Sequence, residues 1–168
     1  TKSVKNSIYI TVGTGVGVGV IIGGKPYHGM IHPEGGHIFV HRQPDDPMAK
    51  GICPYHGNCL EGLASGPAIE RRWGRKGAEL SDCLAVWELE AFYIGQAICT
   101  YICTLSPERI VVGGGVMHQE QMLPMIRQEV RRQMHGYIQG KGMDKLEEYI
   151  VPVSLGDNQG VMGGVKLA

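Results

Sequence analysis

Apolar residues recur along this chain with two periods, and the changes between them mark out the elements. Ser7-Ile8-Tyr9-Ile10-Thr11-Val12 is a short β-branched and aromatic run and predicts a strand. It enters Gly13-Thr14-Gly15-Val16-Gly17-Val18-Gly19, and a second apolar run, Val18 to Ile22, stops at Gly23-Gly24-Lys25-Pro26. Together they predict a hairpin with a glycine-rich turn. His37 to His41, with Ile38-Phe39-Val40 at its centre, predicts a third strand. Arg42 to Gly51, carrying Pro44, Asp45, Asp46 and Pro47, predicts a surface loop. From Glu61 to Gly74 the pattern is helical, interrupted early at Ser65-Gly66-Pro67, where Ser65 suits a cap and Pro67 a first helical turn.

The longest helical pattern covers 82–105: Trp87, Ala91, Ile94, Ile98, Ile102 and Leu105 keep the period, and Pro107 stops it. Apolar residues on the other faces predict burial on most sides. Arg109-Ile110-Val111-Val112 has the compact form of a buried parallel strand and runs into Gly113-Gly114-Gly115-Val116-Met117. A strand, a glycine turn and a helix form the usual ligand site of an α/β sheet, at the carboxyl end of the strand. Helical spacing resumes after Pro124 with Ile126, Val130 and Met134 and breaks over Gly136 to Gly142. Tyr149 to Val153 predicts a last short strand, at an edge because Pro152 has no N–H to donate. Leu155-Gly156-Asp157-Asn158 then caps a final helix through Leu167. The order β, β, β, α, α, β, α, β, α predicts an α/β domain.

Between the third strand and the first helix lies a set of metal-type side chains. His37 is followed, after fifteen residues, by Cys53-Pro54-Tyr55-His56-Gly57-Asn58-Cys59. Structural zinc takes four Cys or His ligands in a tetrahedron. The Cys-x2-His-x2-Cys stretch offers three from one loop, with Pro54 and Gly57 suited to its turns, and His37 would close the shell from a distant segment. Four protein ligands leave no open position for water or substrate, so the metal is expected to shape a site rather than react in it. The same residues also permit a Cys53–Cys59 disulfide or four unrelated side chains. Glu34 and Glu61 stand close to the outermost ligands, as expected if the metal organises a polar site. In the glycine-rich hairpin, backbone N–H groups and the Thr14 hydroxyl are free to face an anion. The residues alone allow equally a tight hairpin with no ligand.

Composition narrows the class. With 168 residues, 43% hydrophobic and 19% charged, the chain can build one core of its own. Formal net charge is zero, so no basic excess favours nucleic acid, and no Lys/Arg cluster suggests a membrane surface. No window has the apolar length of a spanning helix, and Thr1 to Asn6 lacks a signal-peptide pattern, so a cytoplasmic protein is expected. Cys83, Cys99 and Cys103 fall in or beside the long helix and are expected to be buried free thiols.

Taken in order, Gly13-Thr14-Gly15-Val16-Gly17, Glu34-Gly35-Gly36-His37, Cys53 to Glu61, Ala64-Ser65-Gly66-Pro67 and Val112-Gly113-Gly114-Gly115 resemble the C-terminal half of ROK-family sugar kinases, and among these the bacterial fructokinases. His56, where many relatives carry a cysteine, is similar to that subgroup. The resemblance covers about Ile8 to Leu167, and the metal loop followed by Leu60-Glu61 is its specific part. It implies a ribonuclease H-like (actin-like ATPase) α/β domain: a mixed sheet with helices packed on it and a zinc-stapled loop. It implies zinc on His37, Cys53, His56 and Cys59, and sugar hydroxyls on Glu34, His37 and Glu61. It also implies ATP phosphates near Thr14 and Gly15, with Pro67, Gly113, Gly114, Gly115, Val116 and Met117 beside the nucleotide and magnesium neutralising its charge. A homodimer is implied as well.

Family members add an N-terminal domain with an Asp-x-Gly-Gly-Thr loop and an Asn-Asp pair whose aspartate is the general base. Neither motif occurs here. The chain is therefore expected to be half of a hexose kinase, inactive alone, since phosphoryl transfer needs positioning from both sides of the nucleotide. A sugar-sensing module of the family's repressors is the alternative, although no helix-turn-helix is evident. A zinc-stabilised interaction domain would leave Glu34 and Glu61 without a purpose.

Overall fold

Alternation in the first strand decides how the sheet is built. In a computed structural model describing residues 4–140 and 142–154, β1 (Ser7–Val12) buries Ile8, Ile10 and Val12 and leaves Ser7, Tyr9 and Thr11 half-covered on its other face. It pairs antiparallel with β2 (Val16–Ile22), Val12 opposite Val16, so Gly13, Thr14 and Gly15 make the turn. β2 carries a two-residue edge partner, β3 (Lys25–Pro26). On the other side β1 runs parallel to β4 (Arg109–Gly113), and β4 runs parallel to β5 (Ile150–Pro152). The order is β3-β2-β1-β4-β5, the mixed ribonuclease H-like sheet that the resemblance implies.

The helices form the covering layer. α1 (Leu60–Ala64) and α2 (Gly66–Trp73) are separated by Ser65, whose Oγ accepts from the Ala68 N–H and caps α2, with Pro67 in the first turn. α3 (Leu84–Leu105) is buried along most of its length, from Val86 and Trp87 to Tyr101 and Ile102. It ends where Ser106 turns left-handed (φ 44°) ahead of Pro107. α4 (Met122–Met134) buries Met122, Ile126, Val130 and Met134 against α3. It begins two residues before Pro124, which sits in the first turn, where a missing N–H costs nothing. α5 (Leu146–Tyr149) is a single turn with no period to announce it.

Two expectations need correction. His37 to His41 is not a strand: Gly35–His37 forms a 3-10 turn, and Phe39 joins only an isolated bridge to Cys59. Among the described residues the run has no strand to pair with, and Phe39 is 74% exposed. Tertiary placement overrides local propensity here. Among the cysteines, Cys103 is exposed, and Cys83 and Cys99 are only half-buried. The expected helix through Leu167 lies outside the described residues.

A buried polar network holds the 42–48 loop against α2 and α3. Arg72 donates from Nε to Asp46 Oδ1 at 2.8 Å and from Nη2 to the Leu63 carbonyl, and the Tyr93 hydroxyl donates to Asp46 Oδ2 at 2.6 Å. Burial alone would raise the Asp46 carboxyl, but hydrogen bonds from Arg72, Tyr93 and the Met48 N–H outweigh it and hold it below its ordinary value. Glu90 on α3 is fully buried, and neither of its carboxylate oxygens has a hydrogen-bond partner among the described residues. Burial pushes it well above the usual carboxylate range, against the attraction of Arg72 and with the repulsion of Asp46.

The two acids bear on stability with opposite sign. Asp46 stabilises above its unfolded pKa, and that contribution is lost as pH falls. Glu90 stays protonated in the fold where the unfolded chain ionises, so its contribution is complete at low pH and is lost as pH rises. Glu90→Gln should therefore gain on the parent chain as pH rises from 5 to 8, read as a growing gap between urea midpoints. A constant gap would mean that Glu90 is not protonated in the fold.

Candidate functional site

Two chain segments meet to make the metal-type cluster. The 3-10 turn at Gly35–His37 presents one imidazole, and the loop from Cys53 to Cys59 presents the other three side chains. The turn fits because residue 36 is glycine: a Cβ there would fall inside the Val16 carbonyl of β2. The Tyr101 hydroxyl donates to the Gly35 carbonyl at 2.7 Å and ties the turn to α3. The loop folds back through a Gly57 N–H to Cys53 carbonyl bond, with Gly57 left-handed at φ 62°. Cys59 is at once a cluster member and the N-cap of α1, its sulfur accepting from the Gly62 N–H at 3.4 Å.

The four donor atoms all lie within 4.8 Å of one another. His37 Nδ1 is 3.8 Å from Cys53 Sγ and 3.5 Å from Cys59 Sγ, and His56 Nδ1 is 3.6 Å from Cys53 Sγ. A tetrahedron with zinc bonds of about 2.0–2.3 Å has edges of roughly 3.3–3.8 Å. These donors and spacings fit zinc, and both cysteines are free thiols rather than a disulfide. Burial opposes ionisation of Cys53, but N–H groups of His56 and Tyr55 aimed at its sulfur bring it down to about 6. Cys59 is pushed up to about 11, by burial first and by Cys53 and Glu61 after it, although the Gly62 N–H works the other way. Without a cation the site resists its second thiolate, and a divalent cation supplies the charge that holds both.

With Nδ1 turned into the cluster, His37 points Nε2 at Glu61 Oε1, 3.7 Å away. The other carboxylate oxygen, Oε2, accepts from the Val16 N–H at 3.0 Å. Both side chains remain roughly a quarter exposed, at 27% and 29%. The Glu34 carboxylate pairs with His32 Nε2, 2.6 Å away at the surface.

The nucleotide candidates divide between two neighbouring cavities. Thr14, Pro67, Gly115 and Val116 line one of about 490 Å³, which also takes in Lys76, Gly77 and Trp87. Gly113, Gly114, Gly115 and Met117 line another of about 470 Å³ at the ends of β4 and β5. The Gly66 N–H donates to the Gly13 carbonyl at 2.7 Å, joining the hairpin turn to the start of α2. Gly15 lies beside Glu61, where a Cβ would come within 2.7 Å of Oε2. Sequence reasoning missed Lys76, Gly77 and Gln119 on the larger cavity. Lys76 and Gly77 open one 3-10 turn and Gln119 lies some forty residues on, with no spacing to link them.

The ROK family matches residues 1–168. The chain is 51% identical over 168 residues to a putative fructokinase of Bacillus subtilis (strain 168), covering 99% of this chain and 56% of that protein. It is 46% identical over 170 residues to a fructokinase of Zymomonas mobilis subsp. mobilis, covering 100% of this chain and 56% of that protein. It thus spans about half the length of these curated relatives. A crystal structure of a ROK family glucokinase from Streptomyces griseus, in complex with glucose and AMPPNP, superposes with a TM-score of 0.78 at 26% identity, over 99% of this chain and 61% of that one.

The geometry of the cluster predicts about one zinc per purified chain. Cys59→Ser should lose the metal and destabilise the fold by several kcal/mol, because metal binding is coupled to folding. Elemental analysis and a melting curve check both, and a well-folded chain free of zinc would overturn the ligand assignment.

Proposed function

Because the chain belongs to the ROK family, we propose that it is the C-terminal half of an ATP-dependent fructokinase that converts fructose to fructose 6-phosphate in the cytoplasm. The observation that carries this reading is the two-sided His37, with one ring nitrogen in the metal cluster and the other facing Glu61 at a partly open surface next to the glycine turn. The names of the relatives favour fructose, and they favour a sugar kinase over a transcriptional repressor. The glucokinase with glucose and AMPPNP supports a site for sugar and nucleotide on this fold.

In this reading Glu34, His37 and Glu61 meet sugar hydroxyls, since carboxylate oxygens accept strong hydrogen bonds. Zinc, when bound, fixes His37 and the loop that leads to Glu61. Thr14 and Gly15 face the ATP phosphates, Pro67 and the 113–117 turn lie beside the nucleotide, and magnesium accompanies the phosphates. The base for the sugar hydroxyl comes from polypeptide beyond these 168 residues, and the working enzyme is a homodimer.

Incubated with ATP, magnesium and fructose, the 168-residue chain should release no ADP above background, whereas a longer protein carrying the N-terminal domain should turn over. Robust turnover by the chain alone would show that the base lies within it. In the longer protein, Glu61→Gln should weaken fructose binding by about 1–2 kcal/mol, on the order of tenfold, with zinc content unchanged. If Glu61 serves only as favourable charge in the first turn of α1, calorimetry will show unchanged fructose affinity with a slightly lower melting temperature.

A further inference from the structure

We propose that Glu61 is a positioning residue that carries the state of the metal centre to the glycine turn, by bridging His37 and the Val16 peptide. The observations are three contacts on the backbone of one residue, Val16, and on one side chain. The Val16 carbonyl backs directly onto Gly36, one residue from the ligand His37. The Val16 N–H donates to Glu61 Oε2 at 3.0 Å. Glu61 Oε1 faces His37 Nε2 at 3.7 Å, while His37 Nδ1 lies in the cluster.

The chemistry gives this chain of contacts a direction. A metal on Nδ1 fixes the tautomer, so Nε2 must carry the proton and can only donate, and the group it faces is a carboxylate. At 3.7 Å this is an electrostatic contact rather than a hydrogen bond, and its attraction orients the carboxylate so that Oε2 stays on Val16. Glu61 lies against Gly15, where the missing Cβ leaves space for Oε2. Val16 is the first residue of β2, at the end of the Gly13-Thr14-Gly15 turn, so the bridge clamps the turn at its base. This goes beyond the sugar-contact role proposed above for Glu61. Only its consequence for nucleotide rests on the proposed function.

The test compares Glu61→Ala, which removes the acceptor, with Glu61→Gln, which keeps one, both in the zinc-loaded chain. NMR-detected hydrogen exchange should show the Val16 amide opening at least about tenfold faster in Glu61→Ala and within about threefold of the parent in Glu61→Gln. Zinc content should stay at the parent level in both. Rates are read against the Ile10 amide in the adjoining strand, so equal acceleration at Ile10 would mean general loosening and would overturn the proposal. Unchanged Val16 protection in Glu61→Ala would overturn it as well, as would loss of zinc from that variant. Chelation should accelerate Val16 more than Ile10 in the parent chain and no more than Ile10 in Glu61→Ala, and an equal excess at Val16 in both would show a route that bypasses Glu61. Titration with ATP should show affinity about tenfold weaker in Glu61→Ala and near normal in Glu61→Gln. Faster exchange at Val16 with unchanged ATP affinity supports the bridge and counts against the phosphate reading of the turn.

Discussion

The site depends on a single imidazole having two ends. His37 sits in a short 3-10 turn, Cys53, His56 and Cys59 sit in a loop with almost no regular structure, and neither segment has a strand ladder to hold it. A tetrahedral metal on these four side chains would cross-link the two into one rigid body, and its binding energy would be folding energy. With Nδ1 turned to the two cysteine sulfurs, Nε2 is left at the surface facing Glu61. The position of Glu61 follows, and through Glu61 the base of the hairpin turn.

That cross-link works only because backbones come unusually close around it. Gly36 lies against the Val16 carbonyl, and no other residue could occupy its place without moving β2. Gly114, at φ 97°, crosses the end of β1 where a Cβ would strike the Val12 backbone. Gly36 and Gly114 are therefore steric requirements of packing turns onto a sheet. They bring the turn at His37 and the turn after β4 to adjacent strand ends, the place where α/β sheets gather ligands.

Much of this was legible in the sequence, for identifiable reasons. Ile8, Ile10 and Val12 alternate, and α3 and α4 keep a helical period over many residues, so both kinds of element announce themselves. Ser65 and Pro67 marked the break between α1 and α2 because capping chemistry is local. The metal set was legible because three ligands fall within seven residues. Ile38-Phe39-Val40 misled, since β propensity cannot tell whether a partner strand exists. The Asp46–Arg72–Tyr93 network joins residues up to 47 positions apart, and the Glu61–Val16 contact spans 45. No local pattern encodes such pairings.

The openness of the site bears on the proposed chemistry. His37 and Glu61 each keep more than a quarter of their side-chain surface in solvent, and Thr14 at the turn is exposed. Hydrogen bonds to sugar hydroxyls in such a place compete with water, and phosphoryl transfer is served by a site from which water is excluded. Rigid positioning on one side cannot supply that exclusion, since a single wall leaves the ligands' other faces wet. A wall whose groups are fixed by a metal and by backbone packing is suited to meet a second surface that closes over bound sugar and ATP. A fixed wall also makes closure productive, because a moving partner then needs only one geometry to find. In the proposed kinase the metal would therefore earn its place before any chemistry begins, by keeping His37 and Glu61 in register with the glycine turn.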